Sequence, residues 1–123
     1  MKRPKQHRRA IPAKRGSTFN RKSPERKAEH SFYNSQTWRN FRADQKAITA
    51  QVQSSRADCQ HYDAQKHLMS GTPLCVHCLR RKQYTPAKVL DHIKPMRQGG
   101  ERLDPSNVQW LCSRCHNAKS GRE

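Results

Sequence analysis

Apolar residues recur at helical spacing in TWRNFRADQKAITAQVQ, residues 37–53. Trp38, Phe41, Ile48 and Val52 follow one another at intervals of three, seven and four residues. Side chains at these intervals share one face of an α-helix. The pattern predicts one amphipathic helix here.

The following polar stretch, residues 54–72, allows two interpretations. It either continues that helix or forms a second helix that ends near Gly71 and Pro73. Beyond it the pattern changes to short apolar runs. KVLDHIKPM is typical of a strand ended by Pro95, RQGGERLDPSN of a loop, VQWL of a second strand and SRCHNAK of a helix. The predicted order is strand, loop, strand, helix.

Residues 1–30 show neither pattern. They contain eleven Lys and Arg against two Glu, with three prolines and few apolar side chains. Such a segment cannot bury enough apolar surface to offset the entropy lost on ordering. We therefore expect a disordered basic arm, which either contacts DNA phosphates or serves as a solubilising tail or a targeting signal.

The composition narrows the classes of function. The 123 residues include 26 Lys and Arg against 9 Asp and Glu, a formal charge of +17, and only 32% are hydrophobic. One small domain and a polyanionic partner are expected, with nucleic acid favoured over an anionic membrane surface. The sequence has no apolar run of spanning length and no secretory leader, so we expect a cytosolic protein, in which paired cysteines indicate a metal site.

Two C-x2-C pairs give the strongest chemical signal. CVHC at 75–78 and CSRC at 112–115 are separated by 33 residues. Two such pairs can present four thiolates at the corners of a tetrahedron, the geometry of a structural zinc site. We predict zinc ligands at Cys75, Cys78, Cys112 and Cys115. His77 is the alternative ligand, whereas Cys59, His61 and His67 lack a ligand spacing and are expected to be incidental.

Three further motifs follow the first cysteine pair. D-H-I at 91–93, G-G at 99–100 and D-x-S-N-x-Q-x-L-C-x-x-C-H at 104–116 resemble the HNH nuclease family, in particular the small zinc-containing HNH endonucleases of tailed phages. FYNSQTWRNFR resembles their helical lead-in less closely. The resemblance implies an α+β fold, in which a ββα-metal (HNH) module is held together by a four-cysteine zinc site. The expected segments are a disordered arm at 1–30, a helical lead-in at 31–72, the zinc-bound module at 73–119 and a tail at 120–123.

The resemblance also implies residue roles. His92 would be the general base, Asn107 would brace the loop that holds it, and Asp91 with His116 would ligate a catalytic divalent metal. Some relatives carry a further His four residues after the last H, where this chain has Ser120. The resulting site favours Mg²⁺, Mn²⁺ or Ni²⁺ over catalytic zinc.

The residue types suit phosphodiester hydrolysis. An imidazole with a pKa near about 6.5 can take a proton from water at neutral pH, and a divalent ion stabilises charge on the phosphorane and the leaving 3′ oxygen. Adjacent residues of a strand point to opposite faces, so the backbone must bend for Asp91 and His92 to reach one phosphate. Pro95 and the Gly-Gly pair make such a bend plausible.

Several alternatives stay open. Asp91 and His92 could form a surface pair, Asn107 could cap a turn, and His116 could be a displaced zinc ligand or a bystander. Three basic residues are either phosphate contacts or solvated surface: Lys94, Arg97 and Lys119.

We expect a metal-dependent DNA endonuclease that acts as a monomer in the cytoplasm of a bacterial host, without a membrane partner. The resemblance implies a phage context and a terminase as a candidate partner. The competing hypothesis is a non-catalytic zinc-ribbon protein that binds nucleic acid, which the charge and the cysteines fit equally well.

Overall fold

The structure is a computed structural model that describes residues 23–122. The chain divides into two units, Met1–Ser35 and Gln36–Glu123. In the described part, no helix combines the length and the apolar character needed to cross a membrane.

Helix α1, Pro24–Tyr33, lies in the first unit. Its start has the usual signals: the Ser23 hydroxyl accepts a hydrogen bond from the Arg26 amide at 3.2 Å, Pro24 occupies the first turn, and Glu25 adds a negative charge there. Residues 24–30 of the expected disordered arm are therefore helical. The rest of that arm, residues 1–22, lies outside the described residues.

The second unit begins with helical segments. These are α2, Gln36–Ser54; a one-turn 3-10 helix, Ala57–Cys59; α3, Tyr62–Leu68; and α4, Val76–Arg80. Residues 54–72 thus contain a second helix, α3, and do not continue α2. The break has a local cause, because Arg56 and His61 have extended backbones and His61 Nδ1 caps α3 by accepting from the Asp63 amide at 3.0 Å.

The buried face of α2 differs from the expected apolar face. Trp38 is buried as predicted, but Ile48 and Val52 are 53% and 60% exposed. Gln53 faces inward instead, where its side chain accepts a hydrogen bond from the Leu74 amide at 2.7 Å and donates one to the Leu74 carbonyl at 3.2 Å. The backbone of Leu74 needs these partners, and this requirement places a polar side of the helix against the core.

Strands β1, Val89–His92, and β2, Val108–Leu111, form an antiparallel pair. Asp91 lies opposite Gln109 in this pair. Helix α5, Ser113–Arg122, follows β2 at once and extends past the expected module end at residue 119. The predicted order of strand, loop, strand and helix is confirmed, and with it the α+β class.

Two clusters of buried residues stabilise the second unit. The first joins the helical lead-in to the start of the module and comprises Ala50, Cys59, Ala64, Leu68, Leu74 and Leu79. The second packs Leu111 against four cysteines. Cys59 is fully buried in the first cluster and therefore contributes to packing.

Candidate active site

Four cysteines from four places in the module meet at one point. Cys75 precedes α4, Cys78 lies within it, Cys112 follows β2 and Cys115 lies in α5. Their sulfur atoms all lie within 4.8 Å of one another, and the Sγ of Cys78 is 3.8 Å from that of Cys112 and 3.7 Å from that of Cys115. Four sulfurs around one Zn²⁺ lie about 3.8 Å apart. The cluster therefore fits a tetrahedral metal.

No other described group of three or more His, Cys, Asp or Glu is arranged to hold an ion. His77 stands outside the four-cysteine group, and so do Cys59, His61 and His67. His77 was the alternative zinc ligand, whereas Cys59, His61 and His67 were expected to be incidental. The four-cysteine ligand set is the one that the geometry of residues 23–122 supports.

Arg81 supplies positive charge beside the sulfurs. Its Nη2 lies 3.5 Å from the Sγ of both Cys78 and Cys115. Burial acts to raise the pKa of Cys115, but hydrogen bonds from Arg81 and the neighbouring cysteines outweigh it and lower that pKa to about 7. Burial raises the pKa of Cys75 to about 12. The Arg81 guanidinium thus favours the thiolate form of Cys115, and the thiolate is the form of cysteine that binds metal.

Asp91 and His116 come together at the junction of β1 and α5. An Asp91 carboxylate oxygen, Oδ1, lies 3.7 Å from Nε2 of His116, and Asp91 is buried. Two donors bound to one divalent ion at about 2.1 Å each lie about 3.0 to 4.2 Å apart. One carboxylate oxygen and one imidazole nitrogen are also ligands that such ions accept. The pair fits a divalent metal.

The second carboxylate oxygen of Asp91 has two other partners. Gln109 Nε2 donates a hydrogen bond to Oδ2 at 3.1 Å, and the Lys119 ammonium lies 3.3 Å from it. Lys119 also donates to the main-chain carbonyl of His92 at 3.2 Å, and its side chain is only 15% exposed. Lys119 was expected to be a phosphate contact or solvated surface. Its ammonium instead contacts Asp91 and the His92 carbonyl inside the protein.

His92 is held from two sides. Its Nε2 lies 2.9 Å from the main-chain carbonyl of Arg102, and its ring packs at a tilt against that of Trp38, with centroids 5.2 Å apart. A carbonyl can only accept, so Nε2 carries the proton and Nδ1 of the neutral ring keeps its lone pair. His92 is 4% exposed, which excludes a surface pair with Asp91.

Asn107 braces the loop between the strands. Its Oδ1 accepts from the Lys94 amide at 3.0 Å, and its Nδ2 donates to the carbonyls of Lys94 at 3.2 Å and Glu101 at 2.8 Å. The Asn107 carbonyl accepts from the Ile93 amide at 2.8 Å. One side chain thus joins both ends of the loop, a larger role than capping a turn.

The Gly-Gly pair lets this loop close. Gly99 has a φ of 87°, a left-handed conformation that favours glycine. A Cβ at Gly100 would collide with the carbonyl of Lys94. Both glycines are therefore required by the backbone, at the place where Asn107 binds Lys94.

Asp91 and His92 point to different elements. Asp91 contacts α5, whereas His92 contacts α2 and Arg102. Strand pairing continues through His92, and the backbone bends only at Ile93 and Lys94. The bend predicted from the sequence therefore lies after Asp91 and His92, not between them. Their side chains point to opposite faces of the strand, as in regular β geometry.

Sequence reasoning missed several residues of this site. Trp38 was expected only as part of an apolar helical face, and Gln109, Arg81 and the carbonyl of Arg102 were not singled out. Gln109 had a detectable signal, because pairing the two predicted strands places it opposite Asp91. Lys94 and Arg97 are exposed in the loop, as phosphate contacts would be.

Part of the chain matches a known protein family. The family model of the HNH endonuclease matches residues 75–122. The crystal structure of the HNH endonuclease of the deep-sea thermophilic bacteriophage GVE2, with manganese ion, is similar at 30% sequence identity, covering 72% of this chain and 94% of that one, with a TM-score of 0.40. No curated protein matches the chain.

The family assignment rests on sequence. The matched residues include both cysteine pairs and the site from Asp91 to Lys119. The 30% identity extends over nearly the whole of the phage protein. The chain belongs to the HNH endonuclease family.

Proposed function

We propose that this protein is a metal-dependent endonuclease that hydrolyses phosphodiester bonds of DNA, with His92 as its general base. The observation that carries the proposal is the hydrogen bond from His92 Nε2 to the Arg102 carbonyl, which leaves Nδ1 as the basic nitrogen. Trp38 on one ring face restricts the orientation of the imidazole. A base held in one tautomer and one orientation is what proton abstraction from water requires.

In the proposed reaction, His92 Nδ1 takes a proton as the water oxygen forms a bond to phosphorus. The bond from phosphorus to the 3′ oxygen breaks and that oxygen takes a proton from solvent water; the resemblance to the family implies these 5′-phosphate and 3′-hydroxyl ends. Asn107 keeps the loop after β1 closed and so holds His92 in place. Asp91 and His116 would hold the divalent ion, which supplies Lewis-acid stabilisation of the developing negative charge.

We assign the four-cysteine cluster to structural Zn²⁺. The sulfur separations fit that ion, and the buried sulfurs leave no open position for substrate. The catalytic ion is proposed to be Mg²⁺, Mn²⁺ or Ni²⁺, since one carboxylate and one imidazole leave several positions for water. Manganese in the phage relative supports this choice.

DNA contact is proposed for the loop and the basic N-terminal segment. Lys94 and Arg97 are exposed beside the loop that holds the candidate base. Residues 1–22 contain nine Lys and Arg and no acidic residue. Basic side chains bind phosphates through counterion release, independently of base sequence.

The context is proposed from the family. The phage origin of the similar endonuclease favours a phage-encoded protein. The resemblance to the family adds the packaging terminase as a candidate partner, and we propose a monomer that acts on DNA in the cytoplasm of a bacterial host. Co-purification of the full chain with terminase subunits from infected cells tests the partnership. Size-exclusion chromatography with light scattering tests the monomeric state.

Incubation of supercoiled plasmid with the zinc-loaded protein tests the proposed activity. We expect nicked or linear DNA with Mg²⁺, Mn²⁺ or Ni²⁺ and none with EDTA. His116→Ala should abolish cleavage by weakening metal binding, so raised Mn²⁺ or Ni²⁺ should restore part of it. Absence of cleavage under every metal, together with retained DNA binding, would favour the non-catalytic zinc-ribbon function instead.

A further inference from the structure

Lys119 contacts the same Asp91 carboxylate that is proposed to hold the metal, through the oxygen that does not face His116. Its ammonium lies 3.3 Å from Oδ2 of the carboxylate whose other oxygen faces His116. The side chain is largely buried between α5 and the end of β1, where it also donates to the His92 carbonyl. A lysine ammonium has three donors and no acceptor, so it can bind this carboxylate but can never join it as a metal ligand.

Lys119 and a divalent ion therefore compete for one anion. A buried carboxylate carries one negative charge, which the ammonium already neutralises at contact distance. An ion bound by Asp91 would place two more positive charges within a few ångströms of the Lys119 nitrogen. In a partly buried site this repulsion is weakly screened. Gln109, by contrast, is a neutral donor on the same oxygen and opposes the ion much less.

We propose that Lys119 is a tethered cation that competes with the catalytic ion at Asp91 and must leave the carboxylate when the ion binds. The inference rests on the proposed function, in which Asp91 is a metal ligand. It explains how a buried aspartate stays charge-balanced in the metal-free protein. It also makes the affinity for the catalytic ion low, because each binding event first breaks the contact between Lys119 and Asp91.

Calorimetric titration of the zinc-loaded full chain with Mn²⁺ tests the inference without any cleavage assay. Lys119→Met keeps most of the aliphatic stem and removes the charge, so we expect Mn²⁺ affinity to rise at least tenfold over the wild type. Lys119→Gln serves as a second charge-removing variant if the first does not fold, as judged by zinc content and circular dichroism. Lys119→Arg keeps the charge and should keep the wild-type affinity. Asp91→Asn should remove this binding from the wild type and from Lys119→Met.

The outcomes separate the inference from the proposed function. Equal Mn²⁺ affinity in the wild type and Lys119→Met would overturn the competition while leaving the metal site in place. A similar rise in Lys119→Arg would show that charge is not the cause and would also overturn it. No Mn²⁺ binding by any variant would overturn the catalytic metal assignment, and the inference with it.

Discussion

The indole ring of Trp38 lies on the imidazole ring of His92, with ring centroids 5.2 Å apart and planes inclined by 31°. This contact joins helix α2 to the end of β1. The Arg102 carbonyl fixes the tautomer of His92, and Trp38 limits rotation of the ring. The helical lead-in is thus part of the support of the candidate base.

Trp38→Leu should lower the cleavage rate at least tenfold, since it removes the ring that orients His92. Trp38→Phe keeps an aromatic face and should retain most of the rate. Single-turnover nicking of plasmid, measured across pH, checks both variants. A Trp38→Leu protein that keeps the full rate and pH profile would show that Trp38 only packs.

Gly100→Ala should abolish cleavage while zinc content is retained. The added methyl group meets the Lys94 carbonyl and forces open the loop that Asn107 closes. Gly121→Ala is the matched control, because a Cβ there has open space and alanine favours the helix. Equal activity of the two variants would contradict the proposed closure of the loop.

The short-range features of this fold were predictable from sequence. The strands, the loop and the helix after β2 follow from local alternation, from Pro and Gly, and from the cysteine pairs. The inward face of α2 was not predictable in this way, because it depends on Gln53 meeting Leu74, 21 residues away. The contact of Lys119 with Asp91 depends likewise on tertiary packing of α5 against β1.

Cys112→Ser should release the metal and unfold the module. Structural zinc contributes on the order of 10 kcal/mol in small domains, and the buried cluster that joins α4, β2 and α5 consists largely of the cysteines themselves. Metal analysis should give one zinc per wild-type chain and much less in the variant, with loss of secondary structure by circular dichroism. Cys59→Ala is the control, because Cys59 is buried away from the cluster and its replacement should leave zinc content unchanged. Unaltered zinc in Cys112→Ser would refute the four-cysteine assignment.

Deletion of residues 1–22 removes nine positive charges and leaves α1 intact. DNA affinity should fall, and the dependence of log K on log salt should flatten by about 0.9 for each phosphate that this segment neutralises. Cleavage at high enzyme concentration should persist, since the module is untouched. Binding isotherms at several salt concentrations measure the slope. An unchanged slope would mean that this segment does not touch DNA.

The single-turnover nicking rate of His92→Ala, compared with that of the wild type, tests the central claim most directly. General-base catalysis is worth about 10² to 10⁴ in rate, so the rate should fall by that factor. DNA affinity and zinc content should be unchanged, and raised Mn²⁺ should not restore the rate. His92→Asn, which keeps a polar side chain in the buried site, should be equally slow. Wild-type rates in His92→Ala, or recovery with Mn²⁺ equal to that of His116→Ala, would contradict the assignment of His92 as the base.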